Sequence, residues 1–107
     1  MKAFEVDDVR GGAGELYLEV IRSEHLSTGV YRLAAGAEDP QSPHREDEVY
    51  VVASGRAKIR VADEERPVQA GSIVFVGAEV EHRFFDIEQD LVTVVFFAPP
   101  ESGEASD

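Results

Sequence analysis

A chain of 107 residues with 43% hydrophobic content can bury one modest core and is too short for two domains. Its net charge of −12 argues against nucleic acid and against anionic membrane surfaces, both of which call for a basic face. With no cysteine there are no disulfides or thiolate ligands, and with no signal-like start the chain is expected in the cytoplasm; no apolar run approaches the roughly 20 residues that span a bilayer.

Met1 to Val9 is expected as an edge strand, followed by a glycine-rich loop, Arg10-Gly11-Gly12-Ala13-Gly14. No helix follows those glycines, so they do not read as a phosphate cradle. Glu15 to Arg22 and Thr28 to Ala34 are strand candidates on either side of a turn that carries His25, a surface histidine with no ligand partner at useful spacing. A long loop, Gly36 to Asp47, leads into Glu48–Val52 and Arg56–Val61, with Ala53-Ser54-Gly55 as the turn between them.

In Arg56–Val61, three basic residues (Arg56, Lys58, Arg60) alternate with Ala57, Ile59 and Val61, the pattern of a half-buried strand. Glu65 to Val68 returns the chain. Ser72 to Val76 is almost wholly apolar and is expected to be deeply buried. Glu81–Phe85 and Leu91–Phe97 follow, joined by a polar connection from Asp86 to Asp90, and Ala98-Pro99-Pro100 stops the last strand.

No helix of ordinary length is expected. Short strands with turn signals every 8–12 residues describe an all-β antiparallel sandwich or barrel. Residues 1–98 are read as one such domain, and 99–107 as a disordered acidic tail.

The chemistry gathers in two places. His44 and Glu48 stand at the start of the Val49–Val52 strand, and His82 stands behind a turn at Gly77-Ala78-Glu79. Two imidazoles and a carboxylate are the raw material of a metal site. In a straight strand, residues four apart lie roughly 13 Å from each other, so His44 and Glu48 meet only if the chain bends between them. Arg45-Glu46-Asp47 is a polar trio suited to that bend, and Pro43 fixes its entry. Strand parity places Glu48, Tyr50 and Val52 on one face, and His82 and Phe84 on one face. If these faces point inward, Tyr50 and Phe84 line a cavity below the ligands, with Phe75 and Phe96 as further walls.

These two stretches resemble the cupin family. Its first motif, G-x5-H-x-H-x3-4-E-x6-G, is matched by His44, Glu48 and Gly55. Its second, G-x5-P-x-G-x2-H-x3-N, keeps its spacing through Gly71, Gly77, Glu79, His82 and Asp86. The resemblance covers roughly residues 28 to 98 and implies a jelly-roll, or double-stranded β-helix, barrel. The departures are Ser42 at the first histidine, Gly77 and Glu79 at the proline and second glycine, and Asp86 at the asparagine.

The resemblance therefore implies three metal ligands, His44, Glu48 and His82. Gln41 or a water is left for the fourth position. Ser42 reads as a turn residue and Glu46 as solvent-exposed.

A two-histidine, one-carboxylate set leaves coordination positions open and suits Fe; Zn, Mn and Ni are also accepted by such donors. One divalent ion is thus the expected cofactor and a small organic molecule the expected substrate or ligand, with Tyr50 as the candidate hydrogen-bonding residue. A metal-dependent enzyme of dioxygenase or isomerase type is one reading. A non-catalytic barrel that senses or stores a metal or small ligand is the other. Val49 and Val51 are apolar on the face opposite Glu48; the resemblance implies that dimers are common, and a homodimer is expected.

Overall fold

Two long strands carry the architecture, and burial alternates along much of each, so one face of each is covered by the core. In the computed structural model, which describes residues 1–11, 16–40 and 42–102, they are β3 (Asp47–Val61) and β6 (His82–Ala98). The others are β1 (Tyr17–Arg22), β2 (Ser27–Leu33), β4 (Glu64–Gln69) and β5 (Ile73–Val76). All pairings are antiparallel, in the order β1-β2-β6-β3-β4, with β5 also on β3.

β3 runs beside β6 from the pair Asp47–Ala98 to the pair Val61–His82. Its other edge is shared: β5 takes Glu48 to Val51, and β4 takes Arg56 to Val61. Between these halves the register with β6 shifts three times, from Val52 to Lys58. Extra unpaired residues bend a strand and increase its twist, so the two long strands fold the sheet around its own apolar face.

Gly55 sits in this region at φ +95°, and a Cβ there would lie 2.2 Å from the carbonyl oxygen of Asp90. On β6 the matching distortion includes Asp86 at φ +47°. Tyr31, Leu33, Tyr50, Val52, Ile59, Val68, Val76, Phe84, Leu91, Val95 and Phe97 fill the interior. Each large side chain so buried contributes about 1.5–3 kcal/mol against exposure.

This is the all-β jelly-roll expected from the sequence, but four local expectations are corrected. Residues 1–9 contain no strand; Val6–Asp8 is a 3-10 turn. Adjacent aspartates disfavour a strand there. The Arg32 guanidinium instead donates to the carbonyls of Val6 and Val9, at 2.9 and 3.2 Å. Val9 packs with Val30 and Val92 in a second apolar cluster.

Ala53-Ser54-Gly55 is not a hairpin turn, and Asp86–Asp90 is not a connection. Both are irregular parts of continuous strands. Their turn-type residues tolerate the bulge conformation, which in one dimension looks the same as a turn.

β5 is not deeply buried: Ile73 is 71% and Phe75 63% exposed. Among the described residues it pairs with β3 alone; Val76 and, in part, Val74 face the core, while Ile73 and Phe75 lie on the equally apolar outer face. Of the tail, residues 103–107 lie outside the described residues. Glu101 and Ser102 hydrogen-bond to the side chains of Ser27 and Glu46.

Candidate metal centre

The expected bend occurs at Arg45 and Glu46, between an isolated bridge at His44 and the start of β3. It is held against the turn after β5. The Glu79 N–H donates to the His44 carbonyl, and the Ala78 N–H donates to Asp47 Oδ1 at 2.9 Å. The two loops thus form one mouth.

Asp39 ties the same loop to the barrel. Its Oδ1 accepts from the Tyr31 hydroxyl, and its Oδ2 accepts from the Phe84 N–H at 2.9 Å. Burial and then the hydrogen bond and charge of Asp39, with Glu48 behind it, raise the Tyr31 pKa.

His44, Glu48 and His82 converge, with one donor atom from each lying within 4.8 Å of the others. Glu48 is 2% and His82 7% exposed. His82 Nδ1 lies 2.9 Å from the Val80 carbonyl, and so carries the proton and donates it. Its Nε2 faces Glu48 Oε1 at 2.7 Å and the Tyr50 hydroxyl at 3.1 Å. Anchoring one ring nitrogen on a carbonyl so that the other faces inward is the usual support of a metal-binding histidine.

Burial opposes the His82 imidazolium. The hydrogen bond to Glu48 and its charge, with the Val80 carbonyl and Asp39, outweigh that, so its pKa is raised. Among the described residues, two buried ligand atoms of the cluster have no hydrogen-bond partner: His44 Nδ1 and Glu48 Oε2. A buried polar atom left bare costs roughly 1–3 kcal/mol, which a bound cation relieves. The donor set and these bare atoms fit a divalent ion.

Beside the cluster lies a cavity of about 250 Å³ lined by Leu16, Tyr17, Tyr31, Pro40, His44, Glu48, Tyr50, Val95 and Phe97. Tyr50 is there as expected, its ring edge-on to Phe84 with centroids 4.9 Å apart. Phe75 and Phe96 are not walls. They are 63% and 40% exposed on the outer face, because parity along β5 and β6 turns Val76 and Phe97 inward instead. Glu46, expected in solvent, is 3% exposed and accepts from the Ser102 hydroxyl at 2.6 Å. Gln41 lies outside the described residues.

Tyr17, Tyr31 and Asp39 carry no motif in the sequence. Alternation along Gly29, Tyr31 and Leu33 was the available signal for Tyr31. Tyr17 depends on Gly29, where a Cβ would lie 2.5 Å from its ring. The Tyr17 hydroxyl is buried without a partner, and burial, then the charges of Glu19, Glu101 and Glu48, raise its pKa. His25 is exposed, as expected.

The family model for the Cupin domain matches residues 29–97, a span that contains all three cluster residues. An uncharacterized protein of Streptomyces coelicolor is 47% identical over 105 residues, covering 95% of this chain and all of that one. Among solved structures, an uncharacterized conserved protein with a double-stranded beta-helix domain from Klebsiella pneumoniae superposes with a TM-score of 0.81 at 22% identity, covering 96% of this chain and 94% of that one. A Thermus thermophilus protein superposes with a TM-score of 0.77 at 21% identity, covering 94% and 99%. At such identities the likeness speaks for the fold alone. Taken with the family match, it makes the chain a member of the cupin family.

Proposed function

We propose that the protein is a metal-binding cupin that acts on a small organic molecule in its barrel, as a metal-dependent enzyme of dioxygenase or isomerase type. The supporting observation is that His44, Glu48 and His82 converge beside an apolar cavity while His44 Nδ1 and Glu48 Oε2 are buried and bare. A divalent ion held there by His44, Glu48 and His82, whether Fe, Zn, Mn or Ni, would supply Lewis-acid or dioxygen-activating chemistry. Gln41 is the proposed further donor.

The chain's own residues do the rest. Tyr50 positions His82 through their hydrogen bond. Leu16, Val95 and Phe97 exclude water, and the unpartnered Tyr17 hydroxyl is free to hydrogen-bond the guest. A cavity of about 250 Å³ sits just below the size range of drug-binding pockets, about 300–1,000 Å³, so the guest is small.

One observation favours the second reading, a non-catalytic barrel that binds a metal or small ligand, in its metal-free form. Glu48 and His82 already satisfy each other at 2.7 Å. Fold alone does not choose between chemistries.

We also read residues 1–98 as one barrel unit that works in the cytoplasm as a homodimer, with neither nucleic acid nor membrane as partner. The outer face supports the dimer. Val49 lies between Phe75 and Phe96, and Val51 between Ile73 and Val94, which makes one continuous apolar patch.

The test is elemental analysis of untagged protein, then anaerobic Fe(II) loading and oxygen uptake with catechol-like and keto-acid substrates. Near-stoichiometric metal and turnover support the enzyme. Tight ligand binding without turnover supports the binding barrel. Failure to retain any divalent metal ends both metal readings.

A further inference from the structure

Among the described residues, a second group of donors meets at His44 from the other side of the bend. A ring nitrogen of His44 and carboxylate oxygens of Glu46 and Glu101 all lie within 4.8 Å of one another. The three come from different parts of the chain. Glu46 is turned inward by the bend that brings His44 to Glu48, and Glu101 arrives on the segment after β6. That segment is held by the Glu101 N–H on Ser27 Oγ at 2.9 Å and by the Ser102 hydroxyl on Glu46 Oε2 at 2.6 Å. The group shares only His44 with the first cluster.

Glu46 is 3% exposed, and its Oε1 is buried without a hydrogen-bond partner. The Glu46 carboxylate is buried, and a buried charge is stable only when it is compensated. Donors around an ion at about 2.1 Å lie at most about 4.2 Å apart, so closing the group needs only rotamer-scale movement.

We propose that His44, Glu46 and Glu101 form a second divalent-cation site, distinct from the His44–Glu48–His82 cluster and sharing the His44 ring with it, one ring nitrogen for each ion, the ring releasing its N–H proton to solvent when both are bound. One imidazole and two carboxylates suit Mn²⁺ or Zn²⁺. The site makes the segment after β6 part of the metal-binding structure: a cation there pins residues 99–102 across the mouth.

The inference adds to the proposed function, and stoichiometry separates the two. Calorimetric titration of the full chain with Mn²⁺ and with Zn²⁺ is compared for the wild type, Glu48→Gln, and the double variant Glu46→Gln/Glu101→Gln, each checked for native circular dichroism. Two equivalents are expected for the wild type. One should be lost in Glu48→Gln and the other, separately, in the double variant.

Metal that is lost in the double variant but kept in Glu48→Gln supports the second site even if the first proves empty. No equivalent sensitive to Glu46 and Glu101, or a single equivalent lost in both variants, overturns it. A single variant, Glu101→Gln, lies outside the barrel strands and guards against misfolding: it should weaken the second equivalent at least tenfold and leave the first unchanged.

Discussion

Oε1 of Glu48 lies 2.7 Å from Nε2 of His82, and both side chains are almost wholly buried. A carboxylate on one long strand and an imidazole on the other thus form an ion pair at the rim of the core. Breaking a buried pair by removing one partner typically costs roughly 3–5 kcal/mol, because the remaining charge is stranded. His82→Ala should therefore abolish metal retention at the first cluster and lower the urea midpoint of chelator-treated protein, while Ser42→Ala changes neither. Metal lost in Ser42→Ala instead would show that the ligands are misassigned.

The same pair sets a pH dependence. The His82 pKa is raised above its ordinary 6.5 in the folded protein. The folded state therefore binds the proton more tightly than the unfolded one. The resulting stability is complete below pH 6.5 and is lost as pH rises through the folded value. Chelator-treated protein should melt at progressively lower temperature across that window, and Glu48→Gln should flatten the slope. Metal binding competes with the His82 proton, so calorimetry in buffers of different ionisation enthalpy should show proton release.

Asp39 holds the ligand loop by accepting from Tyr31 on one oxygen and from the Phe84 N–H on the other. Asp39→Ala strands two buried donors, at roughly 1–3 kcal/mol each. We expect a loss of about 2–5 kcal/mol by denaturant titration and a weaker metal affinity, since His44 rides on the same loop. Asp39→Asn keeps an acceptor and should recover part of both. Unchanged affinity in Asp39→Ala would mean that the loop is held elsewhere.

Gly55 is the point at which β3 changes neighbours. Its φ of +95° is one that L side chains rarely adopt, and a Cβ would press on the Asp90 carbonyl at 2.2 Å. Gly55→Ala should cost at least about 2 kcal/mol by thermal or urea unfolding. A wild-type midpoint would show that the bulge relaxes at no cost.

The bare outer face predicts self-association. Phe75→Asp puts a charge in the patch that Phe75 forms with Ile73, Val49 and Phe96. Sedimentation should show a dimer for the wild type and a monomer for the variant, with metal stoichiometry unchanged. A wild-type monomer at micromolar concentration would remove the dimer.

Much of the site was legible because its spacing is local. His44 and Glu48 are separated by a polar bend, His82 follows a turn, and strand parity puts Glu48, Tyr50 and Phe84 inside. Where alternation was clean, as in Arg56–Val61, burial followed it; the outward Arg56, Lys58 and Arg60 pair with Glu88, Asp86 and Glu65. Where a run is apolar on both faces, as in β5, the pattern could not say which face is covered. Phe75 is therefore expected inside but lies outside. Polar runs at Ala53–Gly55 and Asp86–Asp90 looked like chain reversals because bulges and turns draw on the same residues.

By itself the sequence determined the all-β class and the alternation of the cleanly patterned strands, since these depend on periods of two and on neighbours a few residues apart; that His82 belongs with the distant His44 and Glu48 was implied by the resemblance of two separate motifs to the cupin pattern. Only the tertiary structure decided which apolar face is solvent-exposed, that Asp39 and Tyr31 anchor the ligand loop, and that Glu46 and Glu101 meet beside His44. Those contacts join residues far apart in the chain, and their positions depend on how the bulged strands wrap, which no local pattern records.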